Sequence, residues 1–487
     1  MTQVIDYHAI LPELILSGTI VLVLFVDAFT KKRPWLAMPL GFLGVVAALV
    51  ATLTLIGEGR STFNGAFVVD DFAILFKVFF LTVAIVVLAL SLRYFRDLRA
   101  NQGEYYFLLL TSFLGCLMMP SSRDLLVLFI SLELVSAPGF LIAAFRKSDL
   151  RSNEAGLKFF LIGVLSTAVM LYGMSLMYGV TGATRLSEIG IALSGTLEPG
   201  KETLAFAAIL FITVGFGFKV SAVPFQFWAP DTYEGAPVPV AAFLATASKA
   251  AGFAGLLQLM FVAFPAQFEF WTPIFAVLSI LTMTIGNFVA LQQRQAVRLL
   301  AYSSIAQAGY MLLPFALVTS DQAANQDVFA AATTYILIYA VMTLGAFAVV
   351  TAMSRESRAL PISDFDGLAK RAPMIAVAMT VFMISLAGIP PMGGFWAKFL
   401  VFRVAIERGG IGVALAVVML VNSVVSIYYY LAIPRAMIFQ EPGRDRAFAS
   451  PVLVTGVILI AMVAIVAVGI YPESLAHFPP LSTLVGR

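Results

Sequence analysis

The stretch "GFGFKVSAVPFQFWAPDTYEG", residues 215–235, places a single lysine inside a long apolar run. Lys219 is followed after five residues by Pro224, and the run then ends in an acidic loop. Proline removes a backbone donor and clashes with the preceding helical turn, and a charge at the centre of a membrane helix costs at least about 2.5–3.5 kcal/mol. The stretch therefore predicts a broken helix with a lysine that is retained for function.

The composition of the whole chain is that of an integral membrane protein. Of 487 residues, 61% are hydrophobic and 12% are charged, whereas soluble domains carry roughly 25% charged residues. Apolar runs of about twenty residues follow one another with short loops between them, and they lack the alternation of a membrane β-barrel. We therefore predict one polytopic, all-α membrane domain over residues 1–487.

The apolar runs predict fourteen membrane spans and their orientation. The spans lie at about 10–30, 35–57, 71–92, 104–120, 124–145, 155–180, 203–228, 240–264, 270–292, 299–318, 328–353, 373–403, 410–433 and 451–471. The loops after odd-numbered spans hold 18 Lys and Arg residues, against six on the other side. The positive-inside rule then puts both termini on the outer side. A bacterial inner membrane is the expected location, with organelle membranes as the alternative.

The sequence offers few residues that could bind a metal ion or a redox cofactor. Cys116 is the only cysteine, which excludes an internal disulfide and a cysteine-ligated iron–sulfur or zinc site. His8 and His477 lie near the chain ends, outside the apolar runs. No cofactor is therefore expected in this chain.

Four charged residues lie deep in the predicted spans, namely Glu133, Lys219, Lys249 and Lys398. Glu133 is close to mid-span, and its stem is too short to reach the interface. Helical side chains lean toward the N-terminus, so the Lys219 ammonium is expected to point into the membrane. Lys398 lies five residues before Arg403, and here snorkelling to the interface competes with a functional reading.

Two further lysines lie close to the starts of predicted spans. Lys158 follows Glu154 at the i+4 spacing of a surface ion pair, and Lys77 is six residues into its span. Interfacial placement is expected for both from their positions alone.

A second interrupted span suggests an internal repeat. Lys398 is preceded by Pro390, Pro391 and two glycines, and broken backbone at membrane depth is tolerated where it is buried in protein or lines a wet cavity. Spans 4–8 and 9–13 each have the interruption in fourth place. We therefore predict two inverted five-helix repeats at 104–264 and 265–433, flanked by 1–103 and 434–487; ordinary packing kinks are the alternative.

Four segments together carry a family resemblance. The segments "FKVSAVPFQFWAPDTYEGAPVPVAAFLATASKAAGFA", "NEAGLKFFLIGVLSTAVMLYG", "VRLLAYSSIAQAGYMLL" and "SLAGIPPMGGFWAKFLVF" resemble the subunit N family of proton-pumping NADH:quinone oxidoreductase, respiratory complex I. The Tyr and Glu of "PDTYEG" favour this family over the other antiporter-like subunits and the Mrp antiporters.

The resemblance implies a proton-translocating role. The implied site residues are Glu133, Lys158, Lys219, Lys249 and Lys398. NADH, FMN, iron–sulfur clusters and quinone would then be bound by partner subunits. The expected partners are the other membrane and peripheral subunits of the complex, neighbouring antiporter-like subunits among them, and the lipid bilayer, with no nucleic acid.

Two positions depart from the family pattern. The family usually has histidine where this chain has Gln226 and Gln307. Glutamine forms hydrogen bonds but does not carry a proton, so a proton path past these two channel positions is expected to use water.

Two other functions stay open from the sequence. A stand-alone or Mrp-type cation/proton antiporter is expected to carry more intramembrane carboxylates than Glu133. A structural membrane subunit would retain its buried charges from an ancestral transporter without a transport role of its own. Copurification with many partner chains would favour a subunit of a large complex over both.

Overall fold

The computed structural model describes residues 5–29, 36–96, 102–354, 360–442, 448, 450–472 and 484. Several residues used in the charge count and motif search lie outside these ranges: Lys31, Lys32, Arg33, Arg99, Arg355, Arg358, Arg444, Arg446, His477 and Arg487. The side chains of Arg93 and Arg96 are likewise not described.

The described chain is mostly α-helical. Helices α1 to α20 span Leu11–Phe29, Ala37–Leu53, Asp71–Arg96, Gln102–Met118, Leu125–Ala143, Leu150–Thr181, Leu186–Ser194, Lys201–Val220, Trp228–Gly235, Val238–Phe243, Lys249–Gln258, Phe268–Ala290, Ala296–Leu312, Gln322–Met353, Leu368–Arg371, Pro373–Ala387, Gly393–Arg408, Ile411–Tyr430, Ala432–Phe439 and Val452–Ile470. Two short strands, β1 (Arg60–Thr62) and β2 (Phe67–Val69), pair as an antiparallel hairpin that the sequence did not predict. The polytopic all-α fold class is confirmed.

Eleven helical segments among the described residues are long and apolar enough to cross a membrane. They match eleven of the fourteen predicted spans. The other three predicted spans correspond to the 17-residue helices α2 and α4 and to the consecutive helices α16 and α17. These three predicted spans lie where helices are found, but each helix there is shorter than 18 residues, and the third span is divided between two helices.

Aspartate caps fix the starts of three long helices. Asp124 accepts a hydrogen bond from the Leu126 backbone N at 2.8 Å and begins α5. Asp149 and Asp321 cap α6 and α14 in the same way. Such caps satisfy backbone N–H groups that have no partner within the helix, so these starts are encoded locally.

The described chain forms two compact units. The first holds residues 5–220, 247–271 and 484, and the second holds residues 221–246 and 272–472. Each unit contains one of the two lysines that the sequence places beside a helix break. The predicted division at residues 103, 264 and 433 stays a prediction.

Both predicted helix breaks are present. Helix α8 ends at Val220, and the chain is not α-helical again until Trp228, with Ser221 in the left-handed region at φ 61°. Helix α16 ends at Ala387, Gly388 follows with φ 85°, and α17 begins at Gly393. Gaps of this length exceed a packing kink. A wide π-helical turn, Leu244–Ser248, also stands directly before α11.

Candidate functional site

Lys219 lies in the last turn of α8, inside the first unit. Its side chain is buried, and its Nζ donates a hydrogen bond to Ser136 Oγ of α5 at 2.9 Å. Burial of an ammonium is costly unless hydrogen bonds or an opposite charge compensate. The serine supplies one such bond.

Glu133 shares a face of α5 with that serine. It is three residues earlier, which places both side chains on one side of the helix. Its Oε1 accepts a hydrogen bond from Thr167 Oγ1 of α6 at 2.9 Å. Glu133 is within electrostatic reach of Lys219, but within the described chain the two make no direct ion pair. The structure therefore places Ser136, one turn after Glu133, in contact with Lys219, with the Glu133 carboxylate nearby.

Lys249 is the first residue of α11 and is also buried in the first unit. One turn later, Gly252 lies against Lys219: a Cβ at this glycine would stand 2.9 Å from Lys219 Cγ. The backbone of α11 therefore packs directly on the Lys219 stem. The helix that carries Lys249 and the side chain of Lys219 are in contact, as a transfer between the two lysines would need.

Lys158 lies in a different setting. Its Nζ is 2.7 Å from Glu154 Oε1, and the two side chains are 42% and 62% exposed in this chain. This is the i+4 surface pair expected from the spacing. Its membership of the site, implied by the family resemblance, stays a prediction.

Lys398 lies in the second unit, in α17. Its buried Nζ donates to the carbonyl O of Ala387 at 2.9 Å and stands 4.8 Å from the centre of the Tyr310 ring. Ala387 is the last residue of α16, where carbonyl groups have no partner within the helix. The break therefore provides the acceptor for this lysine.

Gln307 lies next to that acceptor. Its Nε2 donates to the Leu386 carbonyl O and to Tyr430 Oη, each at 2.9 Å, and its Oε1 accepts from Tyr335 Oη at 2.6 Å. Gln307 and Lys398 thus bind neighbouring carbonyl groups at the end of α16. Both amide hydrogens of this fully buried glutamine are taken up by protein groups.

Gln226 differs from Gln307. It lies in the break after α8 and is buried, and its Oε1 has no hydrogen-bond partner among the described residues. A buried acceptor without a partner costs about 1–3 kcal/mol. This acceptor could therefore take a hydrogen bond from a water molecule or another donor; a water path past Gln226 stays a prediction.

The acidic stretch that the sequence predicts as a loop is helical and forms α9, and it has a cationic partner in the second unit. Arg298 Nη1 donates to Asp231 Oδ1 at 2.8 Å and to Glu234 Oε2 at 2.7 Å. Both carboxylates are carried by α9, the helix that follows the break, and Arg298 lies at the start of α13. Helix α9 is therefore tied to α13, the helix that carries Arg298.

Sequence reasoning missed two buried ion pairs in the first unit. Lys77 was expected at the interface, but it is fully buried, with its Nζ 2.8 Å from Glu13 Oε1 in a direction unsuited to a hydrogen bond. The hairpin explains the difference, because the Phe67 ring of β2 covers the Lys77 Nζ at 4.9 Å. The second pair, Asp70 and Arg123, joins the residue before α3 to the residue two before α5. The sequence signal for these pairs was limited to the acidic residues Glu13 and Asp70, each near the start of an apolar run.

Comparisons with known proteins agree on one family. Residues 122–426 match the family described as NADH:quinone oxidoreductase/Mrp antiporter, TM. The NADH-quinone oxidoreductase subunit N of Trichlorobacter lovleyi is 41% identical over 447 residues, which cover 91% of this chain and 90% of that relative. 

Solved structures show the same fold. A chain in respiratory complex I from Thermus thermophilus with bound aureothin superposes with a TM-score of 0.79 at 33% identity, covering 97% of this chain and 99% of that chain. A chain of the Mrp complex from Dietzia sp. superposes with a TM-score of 0.85 at 20% identity, covering 99% and 97%. The second likeness concerns the fold alone.

Proposed function

The chain belongs to the subunit N family of NADH-quinone oxidoreductases, and we propose that it translocates protons across the membrane as a subunit of respiratory complex I. The observation that carries the proposal is the setting of Lys219. This buried lysine ends a broken membrane helix, with a hydroxyl acceptor at 2.9 Å and a carboxylate within electrostatic reach.

The chemistry of such a setting suits reversible protonation. A lysine in a low-dielectric site loses part of its preference for the charged form, and an approaching carboxylate restores that preference. Movement of Glu133 toward or away from Lys219 would therefore load or release a proton. Ser136 keeps the ammonium hydrogen-bonded while the carboxylate is apart.

A route across the chain follows from this switch. We assign the first transfers to Lys219 and Lys249, whose helices pack together at Gly252, and a later transfer to Lys398. The two helix breaks would belong to two inverted half-channels that open to opposite sides. Lys158 would lie at the edge of the first half-channel. Gln226 would be passed by way of water, in keeping with its unpartnered acceptor.

The energy for transport would come from partner subunits. The proposal assigns NADH, FMN, iron–sulfur clusters and quinone to those partners. It places the chain in a bacterial inner membrane with both termini on the outer side, on the strength of the loop charges. A chain that exchanged a cation for protons alone in liposomes would instead be an antiporter.

Lys219→Arg tests the proposal most directly. Arginine keeps the charge and the reach but practically never deprotonates. We expect NADH-driven proton uptake into inverted membrane vesicles to be lost, while the complex stays assembled on native gels. Lys201→Arg is the matched control, because Lys201 begins the same helix in a half-exposed pair with Glu198. Normal uptake by an assembled Lys219→Arg complex would reject the switching role.

A further inference from the structure

Arg123 joins separate segments of the first unit at the turn between α4 and α5. Its Nη2 donates to Asp70 Oδ2 at 2.6 Å, and its Nη1 donates to the Pro120 carbonyl O at 2.8 Å. Nη1 also makes a short contact with Gln258 Oε1 of α11. One guanidinium therefore ties the start of α3 and the end of α11 to this turn.

The backbone of Arg123 adds two more segments. Its N donates to the Ala66 carbonyl O of the hairpin at 2.9 Å, and its carbonyl O accepts from the Leu186 N of α7 at 2.9 Å. An arginine held at both its backbone and its side chain has little freedom to swing away. Arg123 is thus a fixed charge.

The partners of Arg123 have few free polar atoms. Asp70 Oδ1 accepts from the Ala73 N at 2.8 Å, so both carboxylate oxygens are engaged. Gln258 Nε2 donates to the Met119 and Ala254 carbonyl O atoms. The Arg123 and Asp70 side chains are 8% and 3% exposed, and Gln258 is fully buried. The cluster is largely shielded from solvent in this chain and leaves a moving proton few acceptors.

This cluster stands on the helix that carries the proposed site. Gln258 follows Lys249 by nine residues on α11, roughly 13 Å along a helix that rises 1.5 Å per residue. The same helix contacts Lys219 at Gly252. A proton that left either lysine along α11 toward its C-terminal end would meet the Arg123 guanidinium.

We propose that Arg123, Asp70 and Gln258 form a proton seal that closes this end of the first unit. An arginine keeps its charge at any working pH, and a fixed guanidinium in a narrow polar path is a barrier to protons. The proposal rests on the proposed function, because a seal matters only where Lys219 and Lys249 carry protons. By the predicted orientation, it prevents protons from crossing the first unit directly to the outer side.

The test is passive proton leak through the assembled complex. The purified complex is placed in liposomes with a potassium diffusion potential set by valinomycin, without NADH or quinone, and internal pH is followed with a trapped dye. Arg123→Gln should raise proton conductance about tenfold, which corresponds to a barrier lowered by about 1.4 kcal/mol. The double variant Asp70→Asn/Arg123→Gln leaves no unpaired charge and should leak as much.

Two controls separate a seal from general damage. The double variant Glu13→Gln/Lys77→Met removes the other buried ion pair of this unit and should stay tight. Adding Lys219→Ala to Arg123→Gln should abolish the leak, because the path would run over that lysine. A leak that persists there, or wild-type conductance in both assembled seal variants, overturns the proposal. NADH-driven pumping by the Lys219 variants judges the proposed function separately.

Discussion

Lys219 and Lys398 both lie beside a broken helix, but they have different partners. Lys219 precedes its break, bonds to the Ser136 hydroxyl and has Glu133 within electrostatic reach. Lys398 follows its break, bonds to a backbone carbonyl and lies over the Tyr310 ring. The first lysine faces side chains that can rotate, whereas a helix-end carbonyl is fixed in place.

This difference favours separate roles in the proposed transport. A hydroxyl can turn between donor and acceptor, and a carboxylate can move, so the proton affinity at Lys219 can be changed by its neighbours. The Ala387 carbonyl and the Tyr310 ring at Lys398 act only as acceptors. Gln307 and its hydrogen-bond partners, here called the Gln307 hub, hold the same helix end. We therefore propose that Lys219 acts as a switch in the first unit and Lys398 as a relay in the second.

The largest effect is expected from breaking the fixed hub. Gln307→Leu would leave the Tyr335 hydroxyl and the Leu386 carbonyl without their glutamine partner, while Tyr430 Oη keeps its hydrogen bond with Ser303 Oγ. Each buried group left unpaired costs about 1–3 kcal/mol. We expect a clear drop in the melting temperature of the complex, measured by scanning calorimetry, with pumping slowed in what remains assembled.

Gln226→Leu is the matched control for that experiment. The Gln226 Oε1 has no hydrogen-bond partner among the described residues to lose, so the complex should keep its melting temperature while proton transfer slows through loss of water. Equal destabilisation by the two leucine variants would contradict the proposed difference between Gln307, which is held by protein hydrogen bonds, and Gln226, whose Oε1 has no such partner in the described chain.

An intermediate effect is expected from removing the switch charge alone. Glu133→Gln keeps an oxygen to accept the Thr167 hydrogen bond but can no longer bring a negative charge to Lys219. We expect NADH-driven proton uptake to fall about tenfold, equal to a barrier raised by about 1.4 kcal/mol, with assembly unchanged. Unaltered uptake would show that the carboxylate does not control the lysine.

The smallest effect is expected from Gly252→Ala. The added methyl would stand 2.9 Å from Lys219 Cγ and 3.0 Å from Val220 Cγ1, so the lysine stem must shift. Overpacking of this kind costs about 1–3 kcal/mol, and a flexible stem absorbs part of it. We expect pumping to fall a few-fold in the same vesicle assay. Gly179→Ala in α6, with nothing within 4 Å, should pump normally.

Much of the fold was predictable because its signals are local. Proline and glycine mark both helix breaks, and lysines inside apolar runs marked Lys219, Lys249 and Lys398 as buried. The pairing of Lys77 with Glu13 was not predictable, because it joins residues from two helices under a hairpin that has no strong sequence signal. The sequence likewise did not show that Ser136 bonds to Lys219 or that Thr167 bonds to Glu133, since side-chain contacts across helices depend on packing.

The Thr167 hydrogen bond holds Glu133 toward α6 while Ser136 holds Lys219. An ammonium has three donors, so Lys219 could keep its Ser136 bond as the two groups meet. A carboxylate that moves away from α6 gives up the Thr167 bond, and a hydrogen bond to a charged group contributes about 1.5–3 kcal/mol. A difference of about 1.4 kcal/mol is a factor of ten in rate. Thr167 would therefore set the residence time of Glu133 in its detached position. A threonine on α6 would in this way control the rate of a step that takes place at a lysine of α8.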